Sequence, residues 1–383
     1  MTLAMSVALV MFIAAFVLLF IGAPISISIG VGSLLAMLMI LPPEGALITS
    51  AQRVFVGLDS FALLAIPFFI LAGNLMNNGG IAIRLINCAK MLSSFLPGSL
   101  AQTNVVANMM FGSISGSGVA SAAAIGGIMS PIQKKEGYHP EYSAAVNIAS
   151  APTGMLIPPS NALIVYATVA GSVSISALFM GGYVPGLLWG LGVMLVAGVI
   201  ARKRGYASAP VTAAGESRLR VLIDAIPSLM MIVLVIGGIL GGVFTATEAS
   251  AIAVVYSLVL GVIYRNLHLR DLPPLLLATA RMSAIVIFML AASSIMSWVM
   301  AFTKMPALIA GGLLSLTDNF VIILLIMNLV LLLVGTFMDP TPAVLIFTPI
   351  FLPICTQFGM DPVQFGIMMV LNLSLGTITP PVG

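Results

Sequence analysis

Charge is what this 383-residue chain has least of. Only 7% of its residues are Asp, Glu, Lys or Arg, against roughly 25% in a soluble domain. So little charge cannot dress an ordinary aqueous surface. Fourteen basic and eleven acidic residues leave a formal charge of +3, and the basic ones are scattered between apolar segments. That scatter argues against a nucleic-acid partner, whose footprint is a clustered basic face. Histidine is nearly missing. His139 and His268 both fall in polar loops, so no Ser–His pair can form at membrane depth. The two cysteines, Cys88 and Cys355, lie in different halves and build neither a disulfide framework nor a metal site. There is no Gly-x-x-x-x-Gly-Lys-Ser/Thr phosphate loop either. Any work this chain does on a solute draws on an ion gradient, unless a separate subunit supplies the energy. No basic flank precedes the first apolar run and no A-x-A-like site follows it, so the run reads as a span and not a signal peptide.

What is abundant is apolar. The chain is 60% hydrophobic with mean hydropathy +1.20, which makes lipid its main solvent. Apolar runs long enough to span cover 3–20, 24–41, 61–77, 141–171, 175–200, 222–243, 246–264, 275–302 and 362–379. Segments 99–133 and 319–356 are apolar but broken near the middle, by Gly112-Ser-Ile-Ser-Gly-Ser-Gly118 and Gly335-Thr-Phe-Met-Asp-Pro-Thr-Pro342. At about 1.5 Å per residue, each limb is too short to cross comfortably. The sequence therefore predicts two re-entrant helical hairpins, whose irregular tips need protein or a watery cavity to satisfy their amides.

The breakers repeat. Shifting residues 112–160 by 222 positions places Pro131, Gly137, Pro140, Gly154, Pro158 and Pro159 on Pro353, Gly359, Pro362, Gly376, Pro380 and Pro381. Four of five prolines in the first window land on one of seven in the second, where chance predicts fewer than one. Paired broken segments in two halves mark the binding region of a secondary transporter. With the N-terminus outside, twelve of the fourteen basic residues fall on the cytoplasmic side, and only Arg53 and Lys304 fall outside. An odd number of spans per copy then inverts the second copy. The predicted organisation is a first repeat at 1–201, a cytoplasmic linker at 202–220 and a second repeat at 221–383. The fold class is an all-α polytopic membrane protein with two re-entrant hairpins and two broken spans, at 141–171 and from 362. The second copy stops at Pro380-Pro-Val-Gly383 where the first continues to residue 200, so it reads as truncated.

The hairpin tips are the strongest site candidates. Ser113, Ser115 and Ser117 alternate with other residues, and an unwound tip offers hydroxyl and carbonyl oxygens suited to a hard cation such as Na⁺. Small-residue helix packing is the competing explanation. Proline frees the carbonyl four residues back, which predicts free carbonyls at Pro152–Gly154 and at Gly376. A plain proline kink explains the same residues equally. The Na⁺ candidates are thus Ser113, Ser115, Pro152 and Gly154 in one half, and Gly335, Thr336, Gly376, Thr377 and Thr379 in the other. Asp339 is an ionisable residue in an apolar region, a functional-site hypothesis by default, although a carboxylate capping the following helix fits too. The expected substrate contacts are Ser115, Ser117 and Ser160, with Asp339 meeting a neutral polar end of the substrate. Glu248 opens a span and reads as a first-turn cap.

Gly112-Ser-Ile-Ser-Gly-Ser-Gly-Val-Ala-Ser, Pro-Ile-Gln-Lys-Lys-Glu-Gly-Tyr and Ala-Pro-Thr-Gly-Met-Leu-Ile-Pro-Pro-Ser-Asn resemble the large membrane subunit of tripartite ATP-independent periplasmic (TRAP) transporters. Gly335-Thr-Phe-Met-Asp and Ile378-Thr-Pro-Pro-Val-Gly resemble the same family, and the likeness covers essentially the whole chain. The resemblance implies a bacterial inner-membrane Na⁺ symporter for organic acids with an elevator-like transport domain, closest to the sialic-acid branch. It also implies two partners, a small membrane (Q) subunit and a periplasmic substrate-binding protein. The competing readings are a proton-coupled carboxylate transporter working without a binding protein, with Asp339 as proton carrier, and a channel or structural membrane subunit.

Overall fold

A computed structural model describes residues 3–171, 173–206, 218–317, 319–336 and 338–379. Among these, every regular element is helical. The chain begins with α1 (Leu3–Phe20), α2 (Ile25–Leu38), α3 (Pro43–Leu58), α4 (Ala65–Asn78) and α5 (Ile81–Ser93). Then come α6 (Ser99–Ser115), α7 (Gly118–Lys135), α8 (Pro140–Ser150), α9 (Thr153–Leu156), α10 (Asn161–Ala170) and α11 (Ile175–Arg204). The second half holds α12 (Arg218–Leu240), α13 (Ala246–Ile263), α14 (Leu272–Phe302) and α15 (Met305–Leu316). It ends with α16 (Phe320–Gly335), α17 (Pro340–Gln357) and α18 (Pro362–Gly376).

Seven described helical stretches are long and apolar enough to cross a bilayer, and eight if the bent stretch α8–α10 counts as one. Several boundaries differ from the sequence reading. The run at 24–41 yields only 14 helical residues in α2, about 21 Å, because Pro42 and Pro43 disfavour helix just ahead of them. The limbs of the second hairpin are unequal: α17 has 18 residues and passes the length test for a span, while α16 has 16 and does not. Pro349 and Pro353 lie inside α17 without ending it. Arg202, Lys203 and Arg204, expected in the linker, form the last turn of α11, where cations meet the negative end of the helix dipole. Residues 207–217 of that linker, and Pro380 and Pro381 of the second break, lie outside the described residues. α3, α5 and α15 join the spans and went unrecognised, because α3 and α5 carry charge and α15 is short.

The chain divides into two compact units, each drawing on both sequence halves. One comprises Met1–Leu63, Val165–Ser174 and Arg281–Val382, and the other Leu64–Ile164 and Ile175–Ala280. In lipid, apolar burial gives helices little reason to associate, so close packing of small residues does the work. In the second unit α11 shows this. Gly182, Gly186 and Gly190 face inward onto Leu156, Ile157 and Met109, and a Cβ at Gly186 would lie 2.6 Å from Ile157 Cγ1. Met180, Val184, Leu188, Leu191 and Leu195 run along the exposed face of the same helix. Polarity is thus inverted relative to a soluble helix: small residues inside, large ones toward lipid. In the first unit Gly32 lets α2 lie against Met11 and Ala15 of α1, while Leu9, Ile13, Phe16 and Phe20 are exposed. The start of α13 is closed as expected: Thr245 and Glu248 form a capping box, with Thr245 N donating to Glu248 Oε2 at 2.7 Å.

Candidate functional site

In the second unit α6 and α7 form a hairpin whose limbs are joined by Ser121 Oγ donating to Asn108 Oδ1 at 2.8 Å. The turn between them needs a glycine. Gly116 stands at φ +63, in the left-handed region, and Ser117 is extended and caps α7 by accepting from Ala120 N at 3.3 Å. The bent stretch α8–α10 turns by 41°, with a cis Pro158–Pro159 bond in the gap between α9 and α10. Tip and gap touch at two places. Gly112 and Gly154 meet backbone to backbone, so that a Cβ on either would overlap the other's Cα. Asn161 N donates to Gly116 O at 3.4 Å. The structure therefore brings Ser113, Ser115 and Ser117 to the neighbourhood of Pro152, Gly154 and Ser160.

Three of these hydroxyls donate to backbone carbonyls. Ser113 Oγ donates to Met110 O at 2.8 Å, Ser115 Oγ to Ser117 O at 3.4 Å, and Ser160 Oγ to Met155 O at 2.5 Å. Their lone pairs remain available as acceptors. Ser160 is fully buried and also accepts from Leu163 N at 3.3 Å. Asn161 Oδ1 is buried and has no donor among the described residues.

The first unit repeats the motif with α16, α17 and α18. Gly335 meets Gly376 and the Leu373 carbonyl, and a Cβ at Gly335 would lie 2.8 Å from that oxygen. The polar tie beneath is Asn372 Nδ2 donating to Asn328 Oδ1 at 2.5 Å. Asn372 Oδ1 is again buried without a donor. Thr336 Oγ1 donates to Leu333 O at 2.7 Å, Thr377 Oγ1 to Ser374 O at 2.8 Å and Thr379 Oγ1 to Gly376 O at 2.6 Å. Asp339 is exposed and caps α17, its Oδ2 accepting from Thr341 N at 3.2 Å.

One expectation needs correcting. The carbonyls of Pro152 and Gly376 are not free: Pro152 O accepts from Met155 N at 2.9 Å, and Gly376 O from Thr379 N at 3.0 Å. The broken ends tighten into three-residue turns that recover the bonds lost to proline. Pro152 O keeps its second lone pair, whereas Gly376 O accepts from both Thr379 N and Thr379 Oγ1.

The sequence reading missed the asparagines. Asn108 Nδ2 donates to Asn147 Oδ1 at 3.0 Å and Ser150 Oγ at 2.8 Å, and Asn104 Nδ2 donates to Asn147 Oδ1 at 3.1 Å. Asn147 Nδ2 donates to Ala122 O at 3.0 Å on the other limb. With Asn328 and Asn372, these amides clamp each hairpin to its broken span. The available signal was amide side chains inside apolar runs, where polar residues serve as interhelical glue. Among the described residues no group of His, Cys, Asp or Glu is arranged to hold a metal ion. Apart from the Asp339 carboxylate, what the breaks offer is neutral oxygen.

Residues 12–383 match the family model of the DctM component of tripartite ATP-independent periplasmic transporters. Among curated proteins, the chain is 54% identical over 96% of its length to the uncharacterized protein YgiK of Salmonella typhimurium, covering 84% of that protein. It is 38% identical to the sialic acid TRAP transporter large permease SiaM of Vibrio cholerae, over 96% of this chain and 85% of that one. To the C4-dicarboxylate large permease DctM of Rhodobacter capsulatus it is 37% identical, over 98% of this chain and 88% of the relative. Among solved structures, the Alcanivorax borkumensis YdaH transporter shares the fold, with TM-score 0.60 and 15% identity over 89% of this chain and 79% of that one. The chain thus belongs to the DctM family of TRAP transporter large permeases, and is a multi-pass transporter of the bacterial inner membrane, not an enzyme.

Proposed function

We propose that this permease imports an organic acid in symport with Na⁺. Secondary transport of organic acids follows from the family. The observation that carries the Na⁺ assignment is the buried, donorless amide oxygen at each break, Asn161 Oδ1 and Asn372 Oδ1. A buried acceptor without a donor is costly, and a small hard cation with oxygen ligands relieves the cost. The proposed coupling sites are one per unit. Ser113, Ser115, Pro152 and Gly154 supply oxygens in one, and Gly335, Thr336, Gly376, Thr377 and Thr379 in the other. Neutral donors favour Na⁺ over a proton carrier.

Sialic acid is the proposed substrate, on the likeness of the hairpin and Pro-Pro motifs. Ser115, Ser117 and Ser160 are its proposed polar contacts in the second unit, and Asp339 accepts from a neutral hydroxyl or amide. The segments carrying the breaks are proposed to be inverted repeats with re-entrant hairpins that move together, elevator fashion. A small membrane subunit and a periplasmic binding protein complete the assembly.

The test is uptake of labelled sialic acid into proteoliposomes holding both membrane subunits, with the binding protein added outside. A Na⁺ gradient should drive uptake, and a pH gradient alone should not. Undiminished uptake with K⁺ in place of Na⁺ rejects the coupling. Uptake without the binding protein rejects the tripartite assignment, and preferential uptake of a C4-dicarboxylate rejects the substrate.

A further inference from the structure

Away from the breaks, the second unit holds a cavity of about 330 Å³ lined by Asn78, Asn266, Asp271, Pro274 and Leu275. Its volume is at the lower end of small-molecule sites. Asn78 ends α4, Asn266 and Asp271 follow α13, and Pro274 and Leu275 open α14. All three helices lie in span-length apolar stretches, so the cavity sits where membrane meets water. Arg84, Arg265 and Arg270 gather at the same end, which the positive-inside rule makes cytoplasmic.

The floor is built rather than accidental. Asn78 Nδ2 donates to Asn74 O at 2.9 Å, Asn74 Nδ2 to Thr279 Oγ1 at 3.0 Å, and Thr279 Oγ1 to Leu275 O at 2.8 Å. This chain of bonds ties α4 to α14. At the rim, the Asn266 amide packs on Gly80, which stands at φ +77 and has no room for a side chain. Arg84 Nη1 donates to Gly80 O at 2.8 Å, and its guanidinium lies 3.4 Å above the Tyr264 ring. Stacking fixes the cation without neutralising it. Asp271 Oδ2 accepts from His268 N at 2.9 Å. Among the described residues no carboxylate pairs with Arg84 and no cation pairs with Asp271. An unpaired anion lines the cavity, and a cation held at Gly80 lies beside the lining residue Asn266. Leu276 and Leu277, next along α14, are exposed and extend the site as an apolar surface.

We propose that this cavity binds the headgroup of an ethanolamine phospholipid. Its ammonium meets Asp271, its phosphate meets Asn266 and Arg84, and its acyl chains lie along Leu276 and Leu277. A glycerol headgroup has no cation for Asp271, and a choline headgroup has no N–H to donate to it. The site adjoins Gly79 and Gly80, where α4 gives way to α5, so the lipid braces that junction.

The test uses the full chain in nanodiscs of equal phosphatidylethanolamine, phosphatidylglycerol and phosphatidylcholine, with retained lipid counted by native mass spectrometry. Phosphatidylethanolamine should be enriched about tenfold over the others, the ratio that one charge-assisted contact typically confers. Asp271→Asn keeps an acceptor for His268 N and should abolish that preference while leaving total lipid unchanged. Arg84→Gln should lower retention of phosphatidylethanolamine and phosphatidylglycerol alike. No headgroup preference in the unmodified chain, or a preference that survives Asp271→Asn, overturns the proposal. Soluble phosphoethanolamine that displaces the lipid at equal concentration assigns the cavity to a free solute and overturns it as well.

Discussion

Tyr166, fully buried in α10, donates its phenolic hydrogen to the Pro362 carbonyl at 2.6 Å. Its ring fills the space that a side chain at position 366 would take. This one residue of α10 is locked to the opening turn of α18, 196 positions downstream, all within one unit. Tyr166→Phe keeps the ring and loses the bond, and should cost about 1 kcal/mol. Gly366→Ala drives a Cβ into the ring and should cost more, about 1 to 3 kcal/mol. Thermal unfolding in detergent ranks the two, and a milder Gly366→Ala would show the ring is free to move.

The backbone contacts at the breaks tolerate no Cβ. Gly112→Ala, Gly154→Ala, Gly335→Ala and Gly376→Ala should each separate a hairpin tip from its broken span and abolish uptake. Gly127 in α7 has open space around it, so Gly127→Ala should be neutral or stabilising by up to about 1 kcal/mol. Uptake assays normalised to membrane expression decide it, and full activity in Gly112→Ala would mean that the contact is not required.

Ser115 lies against Gly73 of α4, whose Cβ would sit 3.4 Å from the Ser115 Cα. Ser115→Leu and Ser117→Leu should therefore remove a hydroxyl and crowd the tip, and transport should collapse with insertion intact. Asn161→Leu and Asn372→Leu should instead raise the Na⁺ concentration for half-maximal uptake about tenfold or more. Unchanged Na⁺ dependence in both asparagine variants would assign those oxygens to packing.

Asp339 separates two roles by chemistry. Asp339→Asn keeps the acceptor that caps α17, whereas Asp339→Ala loses it at a cost of about 1 kcal/mol. If the side chain also meets substrate, both variants should raise the substrate KM with the Na⁺ dependence unmoved, alanine the more so. A stability loss in Asp339→Ala with normal kinetics would leave only the cap.

Much of this was legible because breakers are local. Gly116, Gly154, Gly335 and Gly376 announce their break points through neighbouring prolines and polar residues, and the long apolar runs give the spans. The asparagine clamps were not legible: Asn108 and Asn147 pair across 39 positions, and no periodicity links them. The engagement of the Gly376 carbonyl was also hidden, because a turn of three residues has no sequence mark beyond the proline that provokes it. α5 escaped notice because Arg84 and Lys90 interrupt its apolar run in sequence, although both lie off the buried face made by Ile81, Leu85, Cys88 and Ala89.

The glycine contacts also set an order of assembly. Gly112 and Gly154, and likewise Gly335 and Gly376, are about forty residues apart, a short loop to close. Each hairpin can seat on its own broken span soon after leaving the ribosome. Tyr166 cannot, because Pro362 lies 196 residues downstream, a delay of roughly 10 to 40 s at typical synthesis rates. For that interval a tyrosine hydroxyl destined for burial has no native acceptor, and the newly inserted first half waits in the membrane with α10 unclasped. The vulnerable species in biogenesis is this half-made chain, and a chaperone or protease that surveys nascent membrane proteins would meet it at α10.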